Sequence, residues 1–217
     1  MSQWPLSRTS EDQGFLAALR AQPTDDTLKL VYADWLEEHG DPRAEFIRLS
    51  ISLRDRQADE KGTPMFLARW NELRLGISPE WIALVDRTCS EDDVREAVFR
   101  HLFGRHHNPK GVYFISTADG KDPSPQLLCR FEHHRPPVKP ASASQKGENQ
   151  HSLLLDRESG KKGILFGISK MTRTKRNIWT VEAAHYLGPL AAAGYQWKVV
   201  LKEGKWQVAS GNMLWIS

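Results

Sequence analysis

The period of the hydrophobic pattern changes once along this chain, and that change limits the folds open to it. Leu28, Val31, Tyr32, Trp35 and Leu36 recur at i, i+3, i+4, i+7 and i+8, the stripe of an amphipathic helix. From Ile164 onward the period is two: Ile164, Phe166 and Ile168, then Trp179, Val181, Ala183 and Leu187, then Tyr195, Trp197, Val199 and Leu201, then Trp206, Val208, Met213 and Trp215. Helical and alternating patterns do not mix in one segment. A helical front and a sheet-rich back are therefore expected, an α+β chain in two modules at about 1–89 and 90–217.

Helix boundaries are written in caps. Ser10 with Gln13 has capping-box spacing ahead of Phe15, Leu16 and Leu19, and Pro23 closes that helix. Asp25 or Asp26 caps the next, and Gly40 supplies its left-handed end. Asp41-Pro42, Thr63-Pro64 and Ser78-Pro79 each pair a capping side chain with a proline whose missing N–H costs nothing at the first helical position. The helices they open bury Phe46, Leu49 and Leu53, then Phe66, Trp70 and Leu73, then Trp81, Ile82 and Val85. Residues 54–62 are polar and read as a helix end and loop.

In the back module, Ser90 with Asp93 opens a helix carrying Val94, Ala97, Val98 and Leu102, and Gly104 ends it. Val112 to Ile115 is a short strand, and Ser124-Pro125 starts a helix with Leu127, Leu128 and Phe131. Residues 135–151 begin extended at their prolines and continue as a flexible polar loop. Leu153 to Leu155 is a candidate strand. Glu203-Gly204 suits a tight hairpin, and Gly211 a bulge before the last strand. Short turns favour a curved antiparallel meander, covered on one face by helices at 91–103 and 125–132.

Charge follows the same division. The 217 residues carry +3, resolved into −4 over residues 1–90 and +7 over residues 91–217. No apolar run reaches membrane-span length, so no membrane partner is expected. Met1-Ser2-Gln3-Trp4-Pro5 has no signal-peptide pattern, and Cys89 and Cys129 make no disulfide framework, which points to a cytoplasmic protein.

The run from Leu30 through Asp34-Trp35-Leu36-Glu37-Glu38-His39-Gly40-Asp41-Pro42-Arg43 to Leu49 resembles the bacterial repeat-companion domain, and Glu11 to Asp26 matches its usual opening. The resemblance covers about residues 10–54 and implies a helical module that accompanies leucine-rich repeats, although no 20–29-residue leucine-rich period follows here. Residues 90–217 resemble, in element order and in the closing hairpin Tyr195 to Val208, the cystatin-like, nuclear-transport-factor-like α+β fold. That resemblance implies a pocket under the sheet and no particular chemistry.

Candidate chemistry is sparse. Asp34, Glu37, Glu38 and Asp41 are close enough to work as paired carboxylates, yet caps and ion pairs with Arg43 and Arg48 account for them. His185 is in phase with the inward face of its strand and is the one pocket candidate for a catalytic base. Asp119 is a possible assistant, whereas Glu182 points to the opposite face by parity. His101, His106 and His107, and separately Cys129, His133 and His134, are weighed as metal ligands and set aside for want of a paired zinc motif. No cofactor motif is present. Lys170, Arg173, Lys175, Arg176, Lys202 and Lys205, with Trp179 at their base, form a basic hairpin rim suited to an anionic ligand or nucleic acid; Arg157, Lys161 and Lys162 belong to the opposite sheet end. The expected role is non-catalytic interaction or ligand binding with another protein as partner. Nucleic-acid binding at the rim and a His185 enzyme are the alternatives.

Overall fold

The computed structural model describes residues 9–54, 56, 60–106, 108, 110–147, 153–188 and 190–217, with the side chain of Asp119 left aside. The readings placed on residues 1–8, on parts of the 54–62 and 135–151 segments, on His107 and on the Asp119 carboxylate lie outside the described residues. The protein is α+β and divides into two compact units, Met1–Asp92 and Asp93–Ser217.

The first unit is helical: α1 (Ser10–Ala21), α2 (Asp26–Glu38), α3 (Arg43–Ser52), α4 (Thr63–Gly76), α5 (Pro79–Val85) and the start of α6 (Arg87–Arg105). Of the two candidates Asp25 and Asp26, Asp25 caps α2, accepting from Leu28 N–H, and Ser78 caps α5 as expected, accepting from Trp81 N–H. Other caps move. Thr9, not Ser10, accepts from Asp12 N–H at α1. Thr63 is the first residue of α4 behind a left-handed Gly62 and makes no cap bond. Val31 is exposed, so the buried stripe of α2 centres on Tyr32, Ala33 and Leu36. The core gathers Leu16, Leu19, Phe46, Ile47, Trp70 and Trp81, with Phe46 stacked on Trp70 at 5.9 Å and edge-on to Trp81 at 6.1 Å.

Inside that core sits a polar network. Arg43 and Asp12 are fully buried and Asp41 nearly so. The Arg43 guanidinium donates to Asp41 at 2.8–3.1 Å and to Asp12 at 3.4 Å. Tyr32 donates its hydroxyl proton to Asp12 and accepts from the Trp81 indole N–H at 3.1 Å. A cation this deep is tolerated because both faces of its charge are answered, by carboxylates in the plane and by the Trp81 ring 5.2 Å away.

The second unit is built on an eight-stranded sheet. Its strands are β1 (Val112–Ser116), β2 (Val138–Pro140), β3 (Ser144–Lys146), β4 (Leu154–Asp156), β5 (Lys162–Lys175), β6 (Ile178–Gly188), β7 (Ala191–Lys202) and β8 (Lys205–Ile216); α7 (Pro125–Cys129) lies between β1 and β2. β5 to β8 form the expected antiparallel meander. The sheet as a whole is mixed: β1 runs parallel to both β5 and β2, giving the order β2-β1-β5-β6-β7-β8, with β4 antiparallel to β5 and β3 to β4.

Four further expectations are corrected. The 135–151 segment contains β2 and β3, held by Lys139, which donates to Asp156 at 2.9 Å and Glu158 at 2.8 Å. α6 starts at Arg87, where Asp86 rather than Ser90 caps by accepting from Cys89 N–H, and it runs through Gly104 to Arg105. α7 stops at Cys129, before Phe131. Gly211 causes no break in β8. It lies under the Trp197 ring, where an added Cβ would sit 2.0 Å from a ring carbon, and the register shifts fall on either side of it. The Glu203-Gly204 turn has both residues at positive φ, 52° and 72°, as a tight hairpin requires.

One face of the sheet carries the main core. Val94, Val98, Phe99, Leu102 and Phe103 of α6 pack on Phe166, Ile168, Val181, Trp197 and Val199. A smaller core of Val112, Phe114 and Leu154 occupies the other face, so β1 is buried on both sides, as a strand with parallel neighbours on each edge tends to be.

Candidate functional site

Residues along α6 alternate between burial and two polar flanks. Phe99, Leu102 and Phe103 face the core, whereas Arg100 and Gly104 line one flank and His101 and Arg105 the other.

The Arg100 flank borders a hollow of about 330 Å³ lined by Arg100, Phe103, Gly104, Asn108, Tyr113, His134, Arg135 and Pro136. Arg100 donates to Glu96 at 2.9 Å and to the Arg130 carbonyl at 2.8 Å, and its guanidinium stands 5.1 Å from the Phe131 ring. Arg135 donates to the carbonyls of Glu132 and His134. His134 Nδ1 lies 2.8 Å from the Pro136 carbonyl, which only accepts, so the proton is on Nδ1. The Tyr113 hydroxyl donates to the His106 carbonyl, answering one of the orphan acceptors at the α6 end. No carboxylate is among the lining residues. Arg100 is already paired with Glu96, so the guanidinium that outweighs the negative end of the helix dipole, worth about half a charge, is that of Arg135.

On the other flank Arg105 stands over Tyr195 at 5.3 Å and Trp197 at 5.4 Å, rings that stack on each other at 5.1 Å. His101 meets Trp197 edge-on at 4.6 Å, and His106 lies 4.0 Å from His185, which stacks beside Tyr195. Burial lowers the pKa of all three imidazoles, with Arg105 adding to the effect; His106, facing His185 as well, is pushed down to about 4. They are neutral near pH 7. His185 Nδ1, His101 Nε2 and the indole nitrogens of Trp179, Trp197 and Trp206 are buried with no hydrogen-bond partner among the described residues.

His185 therefore faces inward as expected, opposite Phe166 and across from α6. Glu182 pairs in register with Lys170 and Gln196 on the opposite face.

The basic rim is spread over two faces. Arg173 pairs with Trp179 on the core face, its guanidinium 5.9 Å from the ring and donating to the Arg176 carbonyl at 2.7 Å. Lys170, beside Glu182, and Lys202 and Lys205, directly opposite each other, take the outer face, with Lys175 opposite Ile178 at the hairpin end. Lys198 joins that face, beside a shallow polar hollow of about 250 Å³ that Thr180, Gln196, Ser210 and Asn212 also line.

Of the metal candidates, Cys129 ends α7 and its thiol points to the Gln126 carbonyl, so His133 falls outside the helical spacing. No group of three metal-binding side chains forms among the described residues. Three of the four acidic motif residues, Asp34, Glu37 and Asp41, are engaged by arginines. Arg48 donates to Asp34 and Glu37 at 2.6 and 2.9 Å beside a hollow of about 470 Å³, and Asp41 belongs to the buried network.

No family model, curated protein or solved structure matches this chain. Sequence reasoning missed Arg100, Arg105, Tyr113 and Arg135. The i, i+4 spacing of His101 and Arg105 was a usable signal, hidden by ending the helix at Gly104; Arg135 is brought to the hollow only by tertiary folding.

Proposed function

We propose that this protein is a non-catalytic ligand-binding module whose α+β unit takes a small anionic molecule in the hollow beside the end of α6. The observation that carries this reading is the placement of Arg135, which has no carboxylate partner among the described residues, beside a hollow that Phe103 and Tyr113 also line, with Arg100, held by Glu96, on its margin. Guanidinium forks match carboxylate and phosphate oxygens, and aromatic walls favour a flat or apolar body. A volume of about 330 Å³ suits an aromatic carboxylate or a small phosphate monoester. Isothermal titration with benzoate, phenyl phosphate and inorganic phosphate tests it. Binding of at least one probe is expected, weakened roughly tenfold or more by Arg135→Ala, in line with loss of a charge-assisted hydrogen bond. No binding by any probe, or equal binding by the variant, overturns it.

His185 is read as part of the unit's interior rather than as a base: its ring packs on the His106 imidazole and stacks beside Tyr195. The helical unit is read as a repeat-companion-like scaffold for contacts with another protein, on the strength of the Leu30–Leu49 motif.

A second reading rests on the outer sheet face, where Lys170, Lys198, Lys202 and Lys205 accompany Thr180, Gln196, Ser210 and Asn212 and face Glu182 alone among the acids of β5 to β8. A polyanion such as single-stranded nucleic acid fits that surface. Filter binding to DNA and RNA across a salt series distinguishes the two readings, because only the second requires a salt-dependent complex.

A further inference from the structure

The edges of the sheet are treated unequally. β2 is three residues long and carries Lys139 and Pro140, and β3 is three residues long and ends on Lys146. Short length, lysine and proline are the means by which proteins keep an edge from pairing with another chain. β8 has none of them over most of its length. It is twelve residues long, pairs only with β7 among the described residues, and has no charged residue or proline from Trp206 to Ile216. Its final segment, Met213-Leu214-Trp215-Ile216, is exposed through all four side chains, with Ile216 72% accessible. Leu190 extends the apolar surface: it precedes Ala191 of β7, two residues before Ala193, the register partner of Ile216, and is 81% accessible.

We propose that two copies of this chain associate through their β8 strands, paired antiparallel about a twofold axis. A self-paired strand answers the free N–H and C=O groups of the edge, and a twofold makes one patch serve both partners. The charge pattern selects the direction. Lys205 is the one charge on the strand, at its start. Antiparallel pairing centred near Gly211 holds the two lysines at opposite ends, roughly 40 Å apart at 3.3 Å per residue, whereas parallel pairing sets them side by side. In that register the exposed segment Met213–Ile216 of each copy lies across from residues 206–209 of the other, an uncharged run that includes Trp206 and Val208, so apolar side chains meet across the seam. This association is independent of the anion hollow, which is built from α6, β1 and the segment after α7.

Sedimentation velocity and light scattering on the full chain, over about 1 to 100 μM, test the proposal across the affinity range of ordinary dimers. The expected result is a reversible species of twice the 24.7 kDa chain mass, unaffected by salt. Leu214→Lys combined with Ile216→Lys is expected to leave only the single-chain mass, with far-UV circular dichroism unchanged. Hydrogen exchange on the unmodified chain gives an independent reading that does not depend on how the variant folds: amides of 206–216 are expected to slow as concentration rises, while those of β2 do not. A single-chain mass throughout the range, a doubled mass that survives both lysines, or concentration-independent exchange in β8 overturns the proposal.

Discussion

The cores of the two units bury polar groups in opposite ways, although the helical unit too has a group unpartnered among the described residues, Thr63 Oγ1, outside its central network. In the helical unit Asp12, Tyr32, Asp41, Arg43 and Trp81 answer one another: each nitrogen or oxygen that enters the network has a partner at hydrogen-bond distance. In the α+β unit three indole nitrogens and two imidazole nitrogens are buried without one among the described residues. The first arrangement locks a fold, because removing any member leaves another charged or polar group buried alone. The second leaves ring nitrogens unpartnered in the interior, so removing one of them strands no other polar group.

The largest expected effect is therefore in the scaffold. Arg43→Met removes the cation between Asp12 and Asp41 and leaves two buried carboxylates facing each other. A loss of about 3–5 kcal/mol is expected, enough to unfold many small domains. Urea denaturation followed by far-UV circular dichroism measures it, and a loss under about 1 kcal/mol contradicts the locked-network description. Next in size is Tyr32→Phe, which strips Asp12 of a donor and the Trp81 indole of its acceptor. A cost of about 1–3 kcal/mol is expected for orphaning buried groups, in the same assay.

What could be read from the sequence, and what could not, follows the same division between local and distant causes. The caps at Asp25 and Ser78, the left-handed Gly40 and the Glu203-Gly204 hairpin are decided within four residues of chain, and all four were legible. So was the β5–β8 meander, whose strands are long enough for a period of two to show. β2 and β3 were not: three residues carry no period, and β2 is held by its ladder with β1 and by Lys139 reaching Asp156, seventeen residues on. The buried network was only partly legible for the same reason. Asp41 does what a cap does, accepting from Arg43 N–H. Its larger role depends on Asp12, which sits in a polar run beside Glu11 and Gln13 and finds its partners at Tyr32 and Arg43. Gly211 was read as a bend because a glycine in a strand signals a bulge or a close neighbour equally well, and only the position of Trp197 decides between them.

Acid separates the units more gently. His106, with its pKa lowered to about 4 by burial and by His185 and Arg105, binds its proton more readily when unfolded, where the value is near 6.5. The stability tied to its neutral form is thus complete above about pH 6.5 and is lost as pH falls from there toward 4. For a half-buried ring the loss is about 1–2 kcal/mol once solvent screening is allowed for. Denaturation at pH 7.5 and 5, read by hydrogen exchange so that β6 and β7 are followed apart from α2 and α3, is expected to show the loss in the strands. His106→Phe should flatten it.

The smallest expected effect is the most discriminating, because its sign matters more than its size. His185→Phe replaces a buried imidazole, one of whose nitrogens is unpartnered, with a ring of similar shape beside Phe166, Tyr195 and His106. A paired polar group loses stability on such a change, as Tyr32→Phe should. An unpaired one gives up only a desolvation cost already incurred, so the change should be neutral within about 0.5 kcal/mol or slightly stabilising at pH 7.5. It should also raise the pKa of His106, because a neighbouring positive charge becomes impossible, and so lessen the acid effect. Denaturant midpoints of the two phenylalanine variants, measured side by side, compare the units directly. A cost for His185→Phe that matches the cost for Tyr32→Phe means the imidazole is held as firmly as the tyrosine, and the unpaired interior of the α+β unit is then as much scaffold as the network around Arg43.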